Sequence, residues 1–288
     1  AVDKVPQMRT ILCLFEGVCT GAADGYARMA GKPAATLLHL GPGLGNGFAN
    51  LHNARRAHSA MVNIVGDHAT YHLQYDAPLT SDIESIAKPV SAWIHTCQSA
   101  ESVPTNAINA ILAARRAPGQ IATLILPGDC AWNESVAPAT APAITAPPTV
   151  DEAVIRTTAA LLRNDKRTVL CVGGPAATER GVQLAARISR ATGARLVAQR
   201  ASARMKLGAG TPICPRIPYA VPQALDLLKE TEQMILVGAP EPVAFFAYPG
   251  MPSRMSPPDA HLHTLATAAE DVLAALDALA EEVGAPHE

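Results

Sequence analysis

Short apolar runs alternate with helix-forming segments along the first half of the chain. The apolar runs predict strands over residues 10–15, 34–39, 61–65 and 121–126. The segments between them predict helices over roughly 17–29, 47–56, 81–87 and 102–115. Parallel strands need crossover connections, which are usually helices. The alternation therefore predicts an open, mostly parallel α/β domain rather than an antiparallel sheet.

The second half repeats this alternation. Strands are predicted over 168–172, 195–198 and 233–237, and helices over roughly 150–163, 178–192, 222–230 and 267–283. The stretch 135–149 is rich in proline and alanine and predicts an interdomain linker. We therefore expect two three-layer α/β/α domains, residues 1–134 and 150–288, joined by the linker 135–149.

Composition narrows the class of protein without changing this architecture. About half of the residues are hydrophobic (49%), aromatic residues are scarce (4%), and the formal net charge is −2. This charge provides no electrostatic footprint for nucleic acid, and no apolar run reaches the roughly 18 residues of a membrane span. Six cysteines are scattered without paired spacing, which favours reduced thiols. We expect a cytoplasmic protein without nucleic-acid or membrane partners.

Candidate chemistry concentrates near the first two predicted strands. Glu16 follows the first strand, as either a helix-start acid favoured by the helix dipole or a desolvated carboxylate facing a ligand. His39 ends the second strand, at the sheet edge where open α/β sheets bind ligands, with either a structural or a catalytic role. The glycine-rich turn Gly41–Gly45 allows close backbone approach to a flat ligand, and Asn46 can cap the next helix.

Other motifs give weaker signals. The glycines after His39 alternate, so they match neither a dinucleotide fingerprint nor a phosphate-binding loop. His68 and His72 are four residues apart, but no third ligand follows at suitable spacing, so we expect no metal site. Gly173 and Gly174 form either a tight strand-to-helix turn or a nucleotide-binding turn.

These motifs together resemble a known family. In the first half, the resemblance is to the pyrimidine-binding domain of thiamine-diphosphate-dependent enzymes, nearest to the acetolactate synthase large subunits. The second half resembles their Rossmann-like central domain. The residues that carry it are Glu16, Ala23–Arg28 (ADGYAR), Gly41-Pro42-Gly43 and Asn46, then Val172–Gly174 and Val237–Pro240.

A closer similarity is to benzoylformate decarboxylase, which has a histidine just before its glycine turn. Leu38-His39-Leu40 matches that placement, and the separation from Glu16 also fits. The second active-site histidine of that enzyme is replaced here by Phe245. The resemblance therefore leaves both decarboxylase and acetolactate synthase (carboligase) chemistry open.

The resemblance implies a role for each motif residue. Glu16 would hydrogen-bond the pyrimidine ring of thiamine diphosphate, and His39 would act as an acid–base group. The implied cofactor-binding residues are Glu16, Gly41, Pro42, Gly43 and Asn46. The implied substrate is a 2-oxo acid, and FAD is a further possible cofactor because acetolactate synthases hold it on the central domain.

One departure from the family affects the expected assembly. The family binds Mg²⁺ and the diphosphate on a third domain marked by Gly-Asp-Gly. The two nearest matches, Gly66-Asp67-His68 and Gly128-Asp129-Cys130, fit neither in position nor in sequence. We therefore expect that domain to be absent from this chain, which is either a fragment of a longer enzyme or a subunit to which a partner chain supplies the domain. Because the family's pyrimidine face meets the diphosphate domain of another subunit, the resemblance also implies a homodimer or tetramer. Alternatives are half of a split enzyme, a non-catalytic regulatory or scaffold subunit, and a nucleotide-binding module.

Overall fold

The computed structural model describes residues 4–138, 140 and 142–286. The chain folds into two compact units, Ala1–Thr145 and Ala146–Glu288, each with a sheet of its own. The boundary between them lies inside the proline-rich stretch 135–149. Within the part of the chain that is described, no helix combines the length and the apolar character needed to cross a membrane.

The first unit is a parallel four-stranded sheet with helices on both faces. The strand order is β1-β2-β4-β3, and every neighbouring pair is parallel. Its strands are β1 (Ala34–Leu38), β2 (Met61–Asp67), β3 (Trp93–Thr96) and β4 (Ile121–Pro127). Its helices are α1 (Glu16–Ala30), α2 (Leu40–Arg56), α3 (Ile83–Ala87), α4 (Val103–Arg115) and α5 (Gly128–Trp132), with short 3-10 helices at Leu73–Tyr75 and Ala100–Ser102.

Alternate residues of the central strands enter two separate apolar clusters, one on each face of the sheet. Met61 and Ile121 pack in the cluster that includes residues of α1, α2 and α3. Val62 and Ala122, the next residues along the same strands, pack in the cluster with α4 and α5. Because successive side chains of a strand point to opposite faces, this division shows three layers.

A row of buried polar side chains crosses the first sheet. Thr36 of β1, Asn63 of β2 and Thr123 of β4 are partners in the strand register. Thr36 Oγ1 donates to Asn63 Oδ1 at 2.8 Å, and Asn63 Nδ2 donates to Thr123 Oγ1 at 3.3 Å. The Ser91 hydroxyl shares a 2.7 Å hydrogen bond with Thr123 at the end of the row. The row satisfies polar groups that are otherwise costly to bury.

The second unit has the same three-layer plan. Its parallel sheet has the order β6-β5-β7-β8, with an irregular register between Leu236 and Val237. Its strands are β5 (Thr168–Val172), β6 (Arg195–Ala198), β7 (Gln233–Val237) and β8 (His261–Ala266). Its helices are α6 (Glu152–Leu162), α7 (Glu179–Thr192), α8 (Val221–Leu228) and α9 (Val272–Glu282), with a 3-10 helix at Gly174–Ala177. The α/β class predicted for both halves is confirmed.

Two sequence predictions of the first unit are wrong, and two of its elements were missed. Residues 10–15 form no strand, and Leu12 and Leu14 are 87% and 96% exposed, because no described strand pairs with this apolar run. The predicted glycine turn is helical, since α2 begins at Leu40 rather than near Gly47. Strand β3 and helix α5 were not predicted.

Candidate functional site

Glu16 is the first residue of α1. Phe15 precedes Glu16 and has an extended backbone. The Phe15 carbonyl accepts hydrogen bonds from the backbone N–H groups of Val18 and Cys19. The Glu16 side chain is half-buried. The helix-start position considered from sequence is therefore confirmed, and the helix dipole favours the negative charge of Glu16 there. The alternative, a desolvated carboxylate that faces a ligand, stays a prediction.

Glu16 and His39 both lie close to Gly43. Asn46 Nδ2 of α2 donates to Glu16 Oε2 at 3.2 Å. A Cβ atom added at Gly43 would lie 3.6 Å from Glu16 Oε1 and 3.4 Å from the Cβ atom of His39. The missing side chain of Gly43 thus leaves room for about one methyl group beside the carboxylate and the histidine. Glu16 Oε1 stays on this side of the carboxylate, away from the hydrogen bond with Asn46.

His39 is exposed and stands between β1 and α2. It is the N-cap residue of α2, with extended backbone and no side-chain cap. The next residue, Leu40, has a φ of 53°. A left-handed backbone at a leucine is strained by roughly 1–2 kcal/mol, and such residues cluster at functional sites. This conformation turns the chain from β1 directly into α2, so the expected glycine turn becomes the first helical turn.

The glycines of α2 permit close contact with its neighbours. A Cβ atom at Gly47 would approach Thr20 Cγ2 of α1 to 2.8 Å, and one at Gly41 would overlap the Ser81 side chain. The buried Thr20 hydroxyl donates to the Gly47 carbonyl at 3.0 Å, and Asn50 Nδ2 donates to the Gly17 carbonyl at 2.7 Å. These contacts hold α1 against α2 and fix Glu16 relative to the start of α2.

The remaining residues named from sequence take different positions. Pro42 is exposed on the first turn of α2. Asn46 lies in the second turn of α2, so its expected role as helix cap is wrong, because the helix begins earlier. Pro42 and Asn46 nevertheless lie on the same two helical turns as Gly41 and Gly43, next to Glu16.

The segment ADGYAR has a structural role. Asp24, which is buried, accepts two hydrogen bonds from Arg28, at 2.8 Å from Nε and 2.5 Å from Nη2. The Ser59 hydroxyl also donates to Asp24. A bidentate pair of this kind fixes side-chain geometry. It ties α1 to the segment just before β2, and so supports the site without entering it.

The sequence did not indicate that the segment after β2 borders a cavity. A cavity of about 320 Å³ lies there, lined by residues of that segment and of α5. His68 and His72, noted only for their spacing, both line it, with ring centroids 5.6 Å apart. Asp67 was noted only within the sequence Gly66-Asp67-His68, and Trp132 was not noted. In the described ranges these histidines belong to no group of three potential metal ligands.

In the second unit, other residues of the protein occupy the space beside the glycine turn at Gly173. A Cβ atom at Gly173 would lie 2.6 Å from Gln199 Cδ, and one at Gly238 would lie 2.6 Å from the Gly173 carbonyl oxygen. This close packing favours a tight strand-to-helix turn over a nucleotide-binding turn. Phe245 is exposed on the segment after β7, and the Arg200 guanidinium lies 4.8 Å from its ring centroid.

Comparison with known proteins identifies a family. Residues 1–87 match the family model for the thiamine pyrophosphate enzyme N-terminal TPP binding domain. Over 279 residues, the chain is 50% identical to the Mycobacterium tuberculosis protein IlvX, provisionally named an acetolactate synthase large subunit. The chain belongs with the thiamine-diphosphate-dependent enzymes. A second such relative is a Pseudomonas aeruginosa benzoylformate decarboxylase, 35% identical over 128 residues, which are 44% of this chain and 24% of that protein.

A solved structure shows the same fold over nearly the whole chain. It is that of a protein from Mycobacterium smegmatis, provisionally titled a thiamin diphosphate-dependent enzyme, with a TM-score of 0.83 and 24% identity. The match covers 99% of this chain and 58% of that one. The IlvX match covers 96% of this chain and 53% of IlvX. The chain therefore spans about half the length of these two proteins.

Proposed function

We propose that the first unit supplies the pyrimidine side of a thiamine diphosphate site in a 2-oxo-acid decarboxylase or acetolactate synthase-like enzyme. The observation that supports this proposal is that Glu16 Oε1 and His39 both lie beside Gly43 at the start of α2. Glu16 Oε1, which does not take part in the hydrogen bond with Asn46, is the proposed acceptor for a proton on the aminopyrimidine ring nitrogen.

Each residue of the site then has a stated task. Thiamine diphosphate, when bound, supplies a carbon nucleophile and an electron sink for decarboxylation. Glu16 holds a proton at the pyrimidine nitrogen, and Asn46 orients the Glu16 carboxylate through its hydrogen bond to Oε2. His39 is exposed to the substrate side and moves a proton to or from the reacting oxygen or carbon as an acid–base group.

The finer assignments belong to the same proposal. We propose a cytoplasmic enzyme whose Mg²⁺ and diphosphate are held by a domain outside residues 1–288, in a homodimer, a tetramer or a complex with a partner chain. Whether the reaction ends as a lyase or as a carboligating transferase depends on the acceptor. FAD on the second unit would favour the acetolactate synthase subgroup, and flavin absorbance of the purified protein tests it.

Exchange of the thiazolium C2 proton with deuterium tests the proposal. The assay uses the protein with Mg²⁺ and with any partner chain that copurifies with it. We expect Glu16→Gln to slow the exchange by about 10²-fold or more, the usual scale for losing a positioned proton-transfer group. Glu134→Gln, at an exposed acid of the same unit, is the matched control and should exchange at the parent rate.

Two other results would contradict the proposal. Equal exchange rates in the parent and Glu16→Gln would exclude Glu16 from cofactor activation. A parent protein that accelerates exchange neither alone nor with its copurifying partner would instead support the scaffold subunit.

A further inference from the structure

The connections that lead into the four strands of the first sheet carry most of the positive charge of that unit. Residues 1–145 contain nine lysines and arginines, and six of them lie in the stretches 31–33, 55–60, 88–92 and 115–120. These four stretches contain no aspartate or glutamate. All six basic residues are exposed. They are Lys32, Arg55, Arg56, Lys88, Arg115 and Arg116.

The four connections lie side by side along one edge of the sheet. The Ala34 N–H donates to the Ala60 carbonyl at 3.3 Å, which joins the connections before β1 and β2. The Met61 N–H donates to the Gln120 carbonyl at 3.1 Å, which joins the connections before β2 and β4. Because all neighbouring strands are parallel, every connection into a strand reaches the same edge. The six cations therefore form one basic edge, in the strand order β1-β2-β4-β3.

The positive charge of the basic edge exceeds what the helix ends neutralise. Helices α1 to α4 end at this edge, and the C-terminus of a helix carries about half a negative charge. The four helix dipoles thus offset about two of the six positive charges. In the described part of the chain, none of the six cations forms an ion pair.

Neighbouring groups leave this surplus in place. Asp24 contacts the connection before β2, but its charge is already paired with Arg28. Partial burial, followed by the charges of Arg56 and Arg55, lowers the pKa of His58. Most acids of the unit follow strands or begin helices, at the opposite edge of the sheet. The formal net charge of −2 therefore does not show the basic edge.

An extended acidic polypeptide matches the dimensions and the chemistry of this edge. Four strands about 4.8 Å apart give a row about 14 Å long, which an extended chain covers with about four residues. Four of the six cations are arginines, whose planar guanidinium groups pair with carboxylates in bidentate fashion. Single-stranded nucleic acid matches less well, because its binding sites add aromatic side chains for stacking, and the four connections contain no Phe, Trp or Tyr.

We propose that the basic edge docks an acidic polypeptide segment of another protein, whose carboxylates pair with Arg55, Arg56, Arg115 and Arg116. This docking is independent of the proposed cofactor site. Glu16 is the first residue of α1, whereas the basic edge lies where α1 ends. A segment docked there leaves the Glu16 end of the helix accessible.

Fluorescence anisotropy with labelled peptides tests the docking site. The probe is fluorescein-labelled hexaglutamate, and hexaglutamine is the neutral control. We expect saturable binding of hexaglutamate that weakens several-fold from about 50 to about 200 mM salt, because salt screens exposed charges, and no binding of hexaglutamine. The double variant Arg55→Gln/Arg116→Gln should bind hexaglutamate at least about tenfold more weakly, since two charge-assisted pairs are lost. Arg156→Gln, at an exposed arginine of α6, should bind it as tightly as the parent protein.

Several results would overturn the docking site. No binding of hexaglutamate, or equal binding by the parent and the double variant, would exclude the basic edge as its site. Tighter binding of hexathymidylate than of hexaglutamate would assign the edge to single-stranded nucleic acid. Salt-dependent self-association of the parent that is lost in the double variant would assign it to a second copy of the chain. Because the assay contains no thiamine diphosphate, its result is separate from that of the C2 exchange assay.

Discussion

Asn46 Nδ2 donates to Glu16 Oε2 at 3.2 Å, which joins the second turn of α2 to the first residue of α1. This hydrogen bond gives the carboxylate a fixed orientation while Oε1 stays on the side of Gly43. The pair thus links the two helices through the candidate catalytic group itself.

Replacing this donor with an acid should make stability depend on pH. Asn46→Asp places a second carboxylate beside Glu16, and like charges at this partly exposed position repel by about 0.5–1 kcal/mol. We expect this loss of stability at pH 7, and we expect it to shrink in acid, where protonation of carboxylates removes their repulsion; pH 7 and pH 3 are compared. Urea unfolding at the two pH values measures it. Asn46→Ala should lack this pH dependence, and an equal dependence in both variants would contradict the repulsion.

A side chain at Gly43 should weaken the binding of thiamine diphosphate without lowering the stability of the fold. The methyl group of Gly43→Ala makes only ordinary contacts, at 3.4 Å and 3.6 Å, with His39 and Glu16. We expect unchanged or higher thermal stability, because alanine favours a helix by up to about 1 kcal/mol over glycine. Thiamine diphosphate binding, followed by calorimetry in the assembled protein, should weaken at least tenfold.

Gly45→Ala is the matched control for Gly43→Ala. Gly45 lies on the same helix, and no other heavy atom lies within 4 Å of its added Cβ. It should show the same gain in stability with unchanged binding. Equal binding by both variants would mean that the space at Gly43 does not receive the cofactor.

The packing of α1 on α2 predicts that substitutions at Gly47 and Thr20 have non-additive effects on stability. Gly47→Ala brings a methyl group to 2.8 Å from Thr20 Cγ2, and overpacking of this kind costs about 1–3 kcal/mol. Thr20→Ser removes that methyl group but keeps the hydroxyl that donates to Gly47. We expect the double variant to recover most of the stability lost by Gly47→Ala, as measured by urea unfolding. Simple additivity of the two single effects would be inconsistent with this contact.

A histidine of the second unit should contribute to acid sensitivity. The His263 ring nitrogen Nε2 lies 2.8 Å from the buried Thr158 hydroxyl, and burial, followed by the charge of His261, lowers the pKa of His263. The unfolded state therefore takes up the proton first as the pH falls below about 6.5, so the stabilising contribution is full above that pH and is lost below it.

His263→Gln tests this acid sensitivity. The effect is a fraction of a kcal/mol, because the ring remains partly exposed to solvent. Unfolding between pH 7.5 and 5 should depend on pH less steeply in His263→Gln than in the parent protein. His261→Gln, at an exposed position, should retain most of the dependence. Parallel profiles for the parent and His263→Gln would show that His263 makes no such contribution.

The architecture was largely predictable because buried parallel strands are continuous apolar runs. Strand β2 and strand β7 were found in this way. Strand β3 was missed because all four of its residues are only partly buried and two of them, His95 and Thr96, are polar. Apolar character alone also gave the wrong prediction for residues 10–15, since a strand needs a neighbour with which to pair.

The sequence indicated candidate site residues, whose roles stay predictions, but it did not indicate their geometry. Glycine is unfavourable in helices, so residues 41–47 were predicted to form a turn. The close packing of Gly47 on Thr20, which is invisible in local sequence, overrides that preference. The cavity beside His68 was unpredictable for a similar reason: its second wall, α5, is about sixty residues away in the chain, and the histidine spacing alone indicated only a weak metal motif.

The polar row Thr36–Asn63–Thr123 gives the first sheet a means of rejecting incorrect alignments. Sliding β1 by two residues along β2 would keep its apolar face buried, so hydrophobicity alone barely distinguishes the two arrangements. The slipped arrangement would, however, break the hydrogen bond between Thr36 and Asn63. Each buried polar group left without a partner would destabilise that arrangement by about 1–3 kcal/mol. Three side chains of modest size thus determine which residue of each strand ends at the sheet edge, and so how far His39 projects beyond it.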